Sequence, residues 1–530
     1  MHSPRTAPDA MMDTAAPAGR SNDGASKSGD AVFPPYRDRV DRAISHCAGY
    51  DQNSALVRRL FASANRPVDA SKQLPRRNAD YDGNIKSNIV QSHALNRSAL
   101  EQLCHGEFAS ALLPGGRQYS AKAANFAAVG WLNHVSQLSD SEAALKCVLT
   151  STGLGLLALI TGDIHIRFRS LQAHNRAIYE VAKTSKRQDW YKRDSMLAAT
   201  RLLLCYEYIL PVVDGAQLPQ SHGCHVDGTQ ALLLARGPHA FTSGIAHQLY
   251  TDSRHSLILS AILKRRRSPL CTYAWRTIPW TSQKKSIKDE LFDVVQELPA
   301  LVEQVVAFLA LQPVSSTKHL EMRILAQCNT LHGQFASWMR KASPYILKFD
   351  YTIIPNMPLP IPQDETEISL LHLSMMFWIA LMILYSILQF FNERSGEDDI
   401  DFDTKENSQS VTEHSNKEDQ NLTLYANMYK GPNLYASKCV HALHLFGEFK
   451  GGVAESLSVI VPLWFTMRYF LNRKSGQHKG NELEVLRKAL STKLFGSSAA
   501  SHITKISGRT DEIDRIMGGE NATHDAVLWF

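Results

Sequence analysis

From Ile368 to Phe391 the chain reads ISLLHLSMMFWIALMILYSILQFF, twenty-four residues without a formal charge. A helix of that length is long enough to cross a bilayer, whose hydrocarbon core needs roughly 20 apolar residues. A helix that is hydrophobic all round has a second solution, the centre of a large helical protein. Both readings force a helix and neither leaves room for a solvated surface. His372 and Gln389 inside the run, and the lack of a second such segment, point to the buried helix. Glu365 and Glu367 precede the run and Glu393 and Arg394 follow it, so the flanks do not orient it in a membrane. An anchor formed by 368–391 stands as the alternative.

A buried helix of this kind needs a large body around it. The chain has 530 residues, of which 44% are hydrophobic and 20% charged. That is the composition of a globular protein with a substantial core, either two or three ordinary domains or one large helical one. The net charge of +6 is small for this length and, spread evenly, designates no electrostatic partner. The eight cysteines (Cys47, Cys104, Cys147, Cys205, Cys224, Cys271, Cys328 and Cys439) are scattered and contain no CxxC pair. That spacing suits neither a disulfide scaffold nor a structural zinc module, and it implies a reducing intracellular compartment. The first residues lack the apolar stretch of a secretory signal.

Hydrophobic period divides the chain. Residues 1–35 are rich in Ala, Ser, Pro, Gly and Asp and are expected to be disordered. Residues 36–98 form a polar, basic lead-in with short helices. From residue 99 to 392 helical signals dominate. Asp194 is placed to cap SMLAATRLLLCYEYIL, with Met196, Thr200, Leu203, Glu207 and Leu210 on one face and Pro211 as the stop. Between Lys288 and Leu311 a stripe of Leu291, Val294, Val295, Leu298, Val302, Val305 and Leu309 is interrupted by Pro299, which predicts two helices. Leu320, Ile324, Cys328, Leu331, Phe335 and Trp338 follow a clean 3.6-residue period.

Residues 393–420 carry ten carboxylates against three bases and predict a solvated, disordered acidic insertion. Helical text resumes over 421–495, and 496–530 read as a weakly ordered tail. No strand alternation or βαβ rhythm occurs. The expected fold class is all-α: a large multi-helix bundle or superhelical domain with a disordered N-terminus and an acidic disordered insertion.

Several local patterns suggest chemistry. Gly153 to Ala158 satisfies GxGxxA, but Asp163 lies too early for the acidic residue of a dinucleotide site, so close helix packing is the better reading. His222-Gly223-Cys224-His225-Val226-Asp227 crowds four metal-type ligands into one turn without a second pair. Entry into the helix GTQALLLA, capped by His225 or Asp227, accounts for them better than zinc. His441 and His444 share a helix face as a buried or half-buried pair. Lys264-Arg265-Arg266-Arg267 ends a helix expected to begin near Arg254. It reads equally as a nuclear-import signal or as a cationic helix C-terminus. No GxSxG, HExxH, P-loop or deaminase signature is present, and no residue is nominated for catalysis, cofactor binding or metal binding.

One longer pattern adds to this. ALKCVLTSTGLGLLALITGD with Tyr179 is followed by DSMLAATRLLLCYEYI, ending at Tyr206-Glu207. HVDGTQALLLARGPHAF then carries His225, Gly228, Leu232, Leu233, Arg236, Gly237 and Pro238, ahead of Arg254, Arg265-Arg266 and Trp275. In order and spacing these pieces resemble the helical regulatory region of fungal zinc binuclear-cluster transcription factors. Leu371–Tyr385 and HALHLFGEF with Pro462-Leu463 resemble its later helices. The resemblance covers about residues 100–470.

It implies that 368–391 is a buried helix and that His225 and Gly228 are architectural. It also implies a nuclear transcriptional regulator acting through homo- or heterodimer partners, or through a small-molecule effector in a helical cavity. The family's Trp shortly before the His has no counterpart in Ser221–Cys224. The six-cysteine zinc cluster is also missing, so sequence-specific DNA contact is expected to come from a partner.

Overall fold

The computed structural model describes residues 117–139, 142–209, 219–311, 317–346, 360–395, 431–448, 452–472 and 482–491, with single positions between 102 and 113 and at 349, 499, 500 and 503. Among them the structure is all-α, with no strand. The expected disorder of residues 1–35, the lead-in helices of 36–98 and nearly all of the acidic insertion 393–420 lie outside the described residues, as does Cys47.

The first long elements form an antiparallel pair, α1 (Ala143–Thr161) and α2 (Ile164–Thr184). Gly162, at φ 72°, ends α1 in the left-handed region that glycine enters at no steric cost. The Asp163 carboxylate then accepts the backbone N–H groups of His165 and Ile166 and so caps α2. Gly153 and Gly155 lie inside α1. A Cβ on Gly153 would sit 2.4 Å from the Cys104 carbonyl oxygen, and one on Gly155 would sit 3.3 Å from Ser170 Oγ of α2. The GxGxxA pattern is therefore a close helix crossing.

α3 (Asp194–Ile209) is buried on almost every side, where a single apolar face was expected. Its predicted stop, Pro211, lies outside the described residues. α4 (Pro219–Arg236) begins well before the predicted entry, so His225 and Asp227 lie inside the helix and cap nothing. α5 (Gly244–Leu263) starts ten residues before Arg254, and the basic run follows its last turn. His225 finds Glu207 of α3 inside the core, while Asp227 finds Lys264 at the surface, so each has a partner on another element and not at its own helix start.

α6 (Ile287–Val295) opens with a capping box between Ser286 and Asp289, and α7 (Leu298–Ala310) holds Pro299 in its first turn. The break expected at Pro299 falls there, since proline is tolerated only where no intrahelical N–H is needed. Leu309 is 40% exposed, and Leu301 and Phe308 are buried where the stripe did not include them. On α8 (Thr317–Ile346) the predicted stripe is buried from Ile324 to Trp338, with Leu320 half-buried at its start.

The apolar run forms α9 (Glu365–Ser395), the central helix of the fold. From Ile368 to Leu388 every residue is buried. α6, α7 and α8 cover one side; α10 (Gly431–Glu448), the short α11 (Gly452–Ser458) and α12 (Ile460–Leu471) cover the other. Trp338 and Phe377 rings lie 4.9 Å apart, Phe308 and Phe391 5.0 Å, and Tyr385 and Tyr435 5.5 Å. Ser369, Ser374 and Ser386 donate their hydroxyls to carbonyls one turn back, which satisfies them without leaving the helix.

Each buried Leu, Ile, Phe or Met contributes about 1.5–3 kcal/mol relative to exposure, so α9 is the main hydrophobic anchor of the body. A second helix, α1, is also long and apolar enough to cross a bilayer. That corrects the expectation that 368–391 stands alone. α13 (Glu482–Leu490) packs its Leu486, Ala489 and Leu490 against α10 and completes the described bundle.

Candidate functional site

Inside this apolar body lies a connected polar core that no motif announced. Asp252, on α5, accepts hydrogen bonds from the Trp131 backbone N–H at 2.8 Å, Gln248 Nε2 at 2.8 Å and Lys288 Nζ at 2.5 Å. Lys288, from α6, also donates to the Ala127 carbonyl at 2.7 Å. Its side chain is 2% exposed and that of Asp252 0%. Charges removed this completely from water persist only when paired and hydrogen-bonded.

Arg201 of α3 completes the group. Its guanidinium lies 4.3 Å from the Trp131 ring centre and donates to the Leu249 carbonyl at 3.0 Å. Burial pulls its pKa down to about 10, partly opposed by Asp252.

A neighbouring cluster repeats the theme. Arg254 donates to Asp293 at 2.5 Å and to the Asp289 carbonyl at 3.2 Å, and it stacks 5.0 Å from the Trp280 ring. Lys285 also pairs with Asp293. Burial works against the Arg254 charge, but Asp293 and its neighbours outweigh it and raise the pKa. His255, one residue on, meets His372 of α9 with ring centres 4.9 Å apart. Burial holds His255 well below the usual histidine value, helped by His372, Arg201 and Lys288. Burial also lowers His372, to about 4. Both rings are therefore neutral at physiological pH.

Several of the residues that carry the family resemblance are buried at helix contacts of their own. Tyr206 and Glu207 end α3. The Tyr206 ring stacks on His174 of α2 at 4.0 Å, and its hydroxyl lies 3.1 Å from Ser170 Oγ. Glu207 Oε1 sits 3.9 Å from His174 Nε2 and 3.8 Å from His225 Nε2. Arg236 of α4 pairs with Asp194 at 2.6 Å and covers the Phe241 ring at 4.7 Å. The Tyr250 hydroxyl donates to the Trp275 carbonyl at 2.8 Å. These residues tie α2, α3, α4 and α5 together, each using a buried polar group as the joint.

The other patterns are not brought into one place. His225 is buried beside Glu207, whereas Asp227 is exposed and pairs with Lys264 of the basic run. His441 is exposed, which corrects its expected burial, and the His444 side chain lies outside the described residues. Among the described residues no group of three or more His, Cys, Asp or Glu side chains is arranged to hold a metal ion. The seven described cysteines are free thiols. Burial raises Cys205 and Cys271 to about 11 and Cys328 to about 12, which keeps them protonated and poorly nucleophilic.

Sequence reasoning missed Arg201, Asp252 and Lys288. The one available signal was the charged tripeptide Asp252-Ser253-Arg254 with His255 in the middle of otherwise apolar helix text.

Comparison of the chain with protein-family models, curated proteins and solved structures finds no match.

Proposed function

We propose that this chain is a nuclear transcriptional regulator of the fungal type whose helical body acts by binding partners, as a homo- or heterodimer, or by binding a small effector. The observation that supports the reading is the burial of six of the resemblance residues at separate helix contacts, while Tyr179, Arg265 and Arg266 of the same set are exposed. Tyr206, Glu207, His225, Arg236, Arg254 and Trp275 all serve as buried joints between helices. A pattern that recurs across a family because it holds a scaffold together behaves in this way, and function then resides on the scaffold's surface or in its partners.

The alternative, a protein anchored in a membrane through 368–391, would need that segment to face lipid. In this fold its surface is turned onto α6 to α8 and α10 to α12.

Two measurements test the proposal together. The tagged full chain is localised in a fungal cell, and the same chain fused to a heterologous DNA-binding domain is tested on a reporter gene. Nuclear accumulation with altered reporter output is expected. A chain that stays in the membrane fraction through carbonate extraction, or one that enters the nucleus but leaves the reporter unchanged, overturns it.

A further inference from the structure

We infer that the outer face of α2 is a docking surface for the phosphate backbone of duplex nucleic acid, held without reading base sequence. The charge of this protein is not evenly spread. Between Asp163 and Arg193 the chain carries eight Lys and Arg against three carboxylates, an excess of five where the whole chain has +6. Of these, Arg187 and Arg193, beyond the end of α2, are paired with Glu142 at 3.7 and 2.6 Å. α2 occupies most of that segment, and its 21 residues make a rod about 31 Å long.

The helix buries one stripe, Ser170, His174, Ala177, Ile178, Val181 and Thr184. The opposite stripe is exposed and runs His165, Arg169, Gln172, Arg176, Tyr179 and Lys183. Its cations recur every seven residues, about 10.5 Å apart along the axis.

The carboxylates of the segment do not neutralise this row. Asp163 caps its own helix, and Asp189 pairs with Lys192 at 2.8 Å. Glu180 reaches Lys183 at 3.2 Å from the edge of the stripe. Arg169 and Arg176 meet no acidic side chain among the described residues. In the Lys264–Arg267 run Lys264 pairs with Asp227 and the Arg267 guanidinium donates to the Cys271 carbonyl, while Arg265 and Arg266 are exposed but lie on a turn after α5 and form no row along a helix.

The composition of the stripe selects the partner. Binding to an anionic lipid surface draws on apolar side chains that enter the headgroup region. Here Ala177, Ile178 and Val181 face the core, and the exposed stripe carries only Ile164, at its very start, and Tyr179 as large apolar side chains, among His165, Arg169, Gln172, Arg176 and Lys183. A convex helix presenting a straight row of cations, with a 63% exposed tyrosine among them, suits the grooved, densely charged surface of a duplex. The inference requires only the charge and shape of α2 and stands apart from the regulatory reading above.

The test is fluorescence anisotropy of a random-sequence DNA duplex titrated with the full chain between about 50 and about 200 mM salt. Wild type is expected to bind with a steep negative dependence of log K on log salt. R169Q/R176Q/K183Q removes three contacts and is expected to flatten that slope by about 3, since each neutralised phosphate contributes about 0.9. R265Q/R266Q/K284Q removes three exposed charges elsewhere and is expected to leave the slope nearly unchanged. Circular dichroism and thermal unfolding check that both variants fold.

Three results overturn the inference. One is no salt-sensitive binding by wild type. Another is an equal loss in both triple variants, which would mean diffuse charge. The third is capture by phosphatidylserine vesicles, or by an acidic polypeptide such as polyglutamate, with no binding to the duplex.

Discussion

Lys288 of α6 and Asp252 of α5 meet at 2.5 Å with side chains 2% and 0% exposed, deep in a body whose neighbouring helices are almost wholly apolar. Such a pair is weak as a source of stability but costly to break, because the survivor is left as a buried charge without its counterion. Through the Trp131 N–H on Asp252 and the Ala127 carbonyl on Lys288, the pair holds α5 and α6 to the segment from Ala127 into the 3-10 helix Gly130–His134. Lys288→Met is expected to lower unfolding stability by about 3–5 kcal/mol. Pairing it with Asp252→Leu should recover only part of this loss, since the Trp131 N–H and Gln248 would lose their acceptor. Urea unfolding of the two variants checks it; a fully restored double variant would mean that the hydrogen bonds around the pair contribute little.

His372 and His255 make stability depend on pH in a definite direction. Each is neutral in the folded chain, His372 with its pKa lowered to about 4 and His255 shifted the same way, whereas an unfolded histidine titrates near 6.5. Above about pH 6.5 neither state takes up a proton and the full stability is present. As pH falls toward 4 the unfolded chain gains protons that the folded one does not, and stability drops. A loss of about 2 kcal/mol from each ring, about 4 kcal/mol for the two together, is expected between pH 7.5 and pH 5, on a scale of about 1.4 kcal/mol per unit. His372→Leu should flatten that dependence relative to wild type when chemical unfolding is measured at both pH values.

Gly153 is set by contact rather than by backbone angle. Gly153→Ala would place a methyl group 2.4 Å from the Cys104 carbonyl oxygen, a main-chain atom that cannot swing aside. A cost of about 1–3 kcal/mol is expected from overpacking, while Gly223→Ala, where a Cβ meets nothing within 4 Å, should be neutral or stabilising. Thermal unfolding of the two variants side by side separates them.

Leu381, fully buried on α9, tests the central helix directly. Leu381→Ala should cost about 2–5 kcal/mol through lost burial and the cavity left behind. An unchanged midpoint in denaturant would mean that α9 is not packed on all sides as described.

The elements differed in how legible they were. The α8 stripe and the break at Pro299 were readable because both depend on local rules, a 3.6-residue period and a missing N–H. The capping roles assigned to His225 and Asp227 failed for the opposite reason. A polar residue beside glycine has the look of a helix start, and only the position of Glu207 on α3 and Lys264 after α5 shows that these side chains are used across helices. The polar core was invisible for the same cause: Asp252 and Lys288 are 36 residues apart in sequence, and nothing in either local text names the other.

The run from Ile368 to Phe391 marks the division. By itself the sequence determined that this segment is a helix and that it must escape water, because it is an uncharged run of twenty-four residues of which all but Ser369, His372, Ser374, Ser386 and Gln389 are apolar. It did not decide between lipid and protein as the surroundings, since both are apolar and both satisfy the backbone through intrahelical hydrogen bonds. The tertiary structure decided that, by packing helices onto the two sides of α9 and placing the His372 ring against His255. Burial against protein is a property of where other segments of the chain come to rest, and no residue of the run encodes it alone.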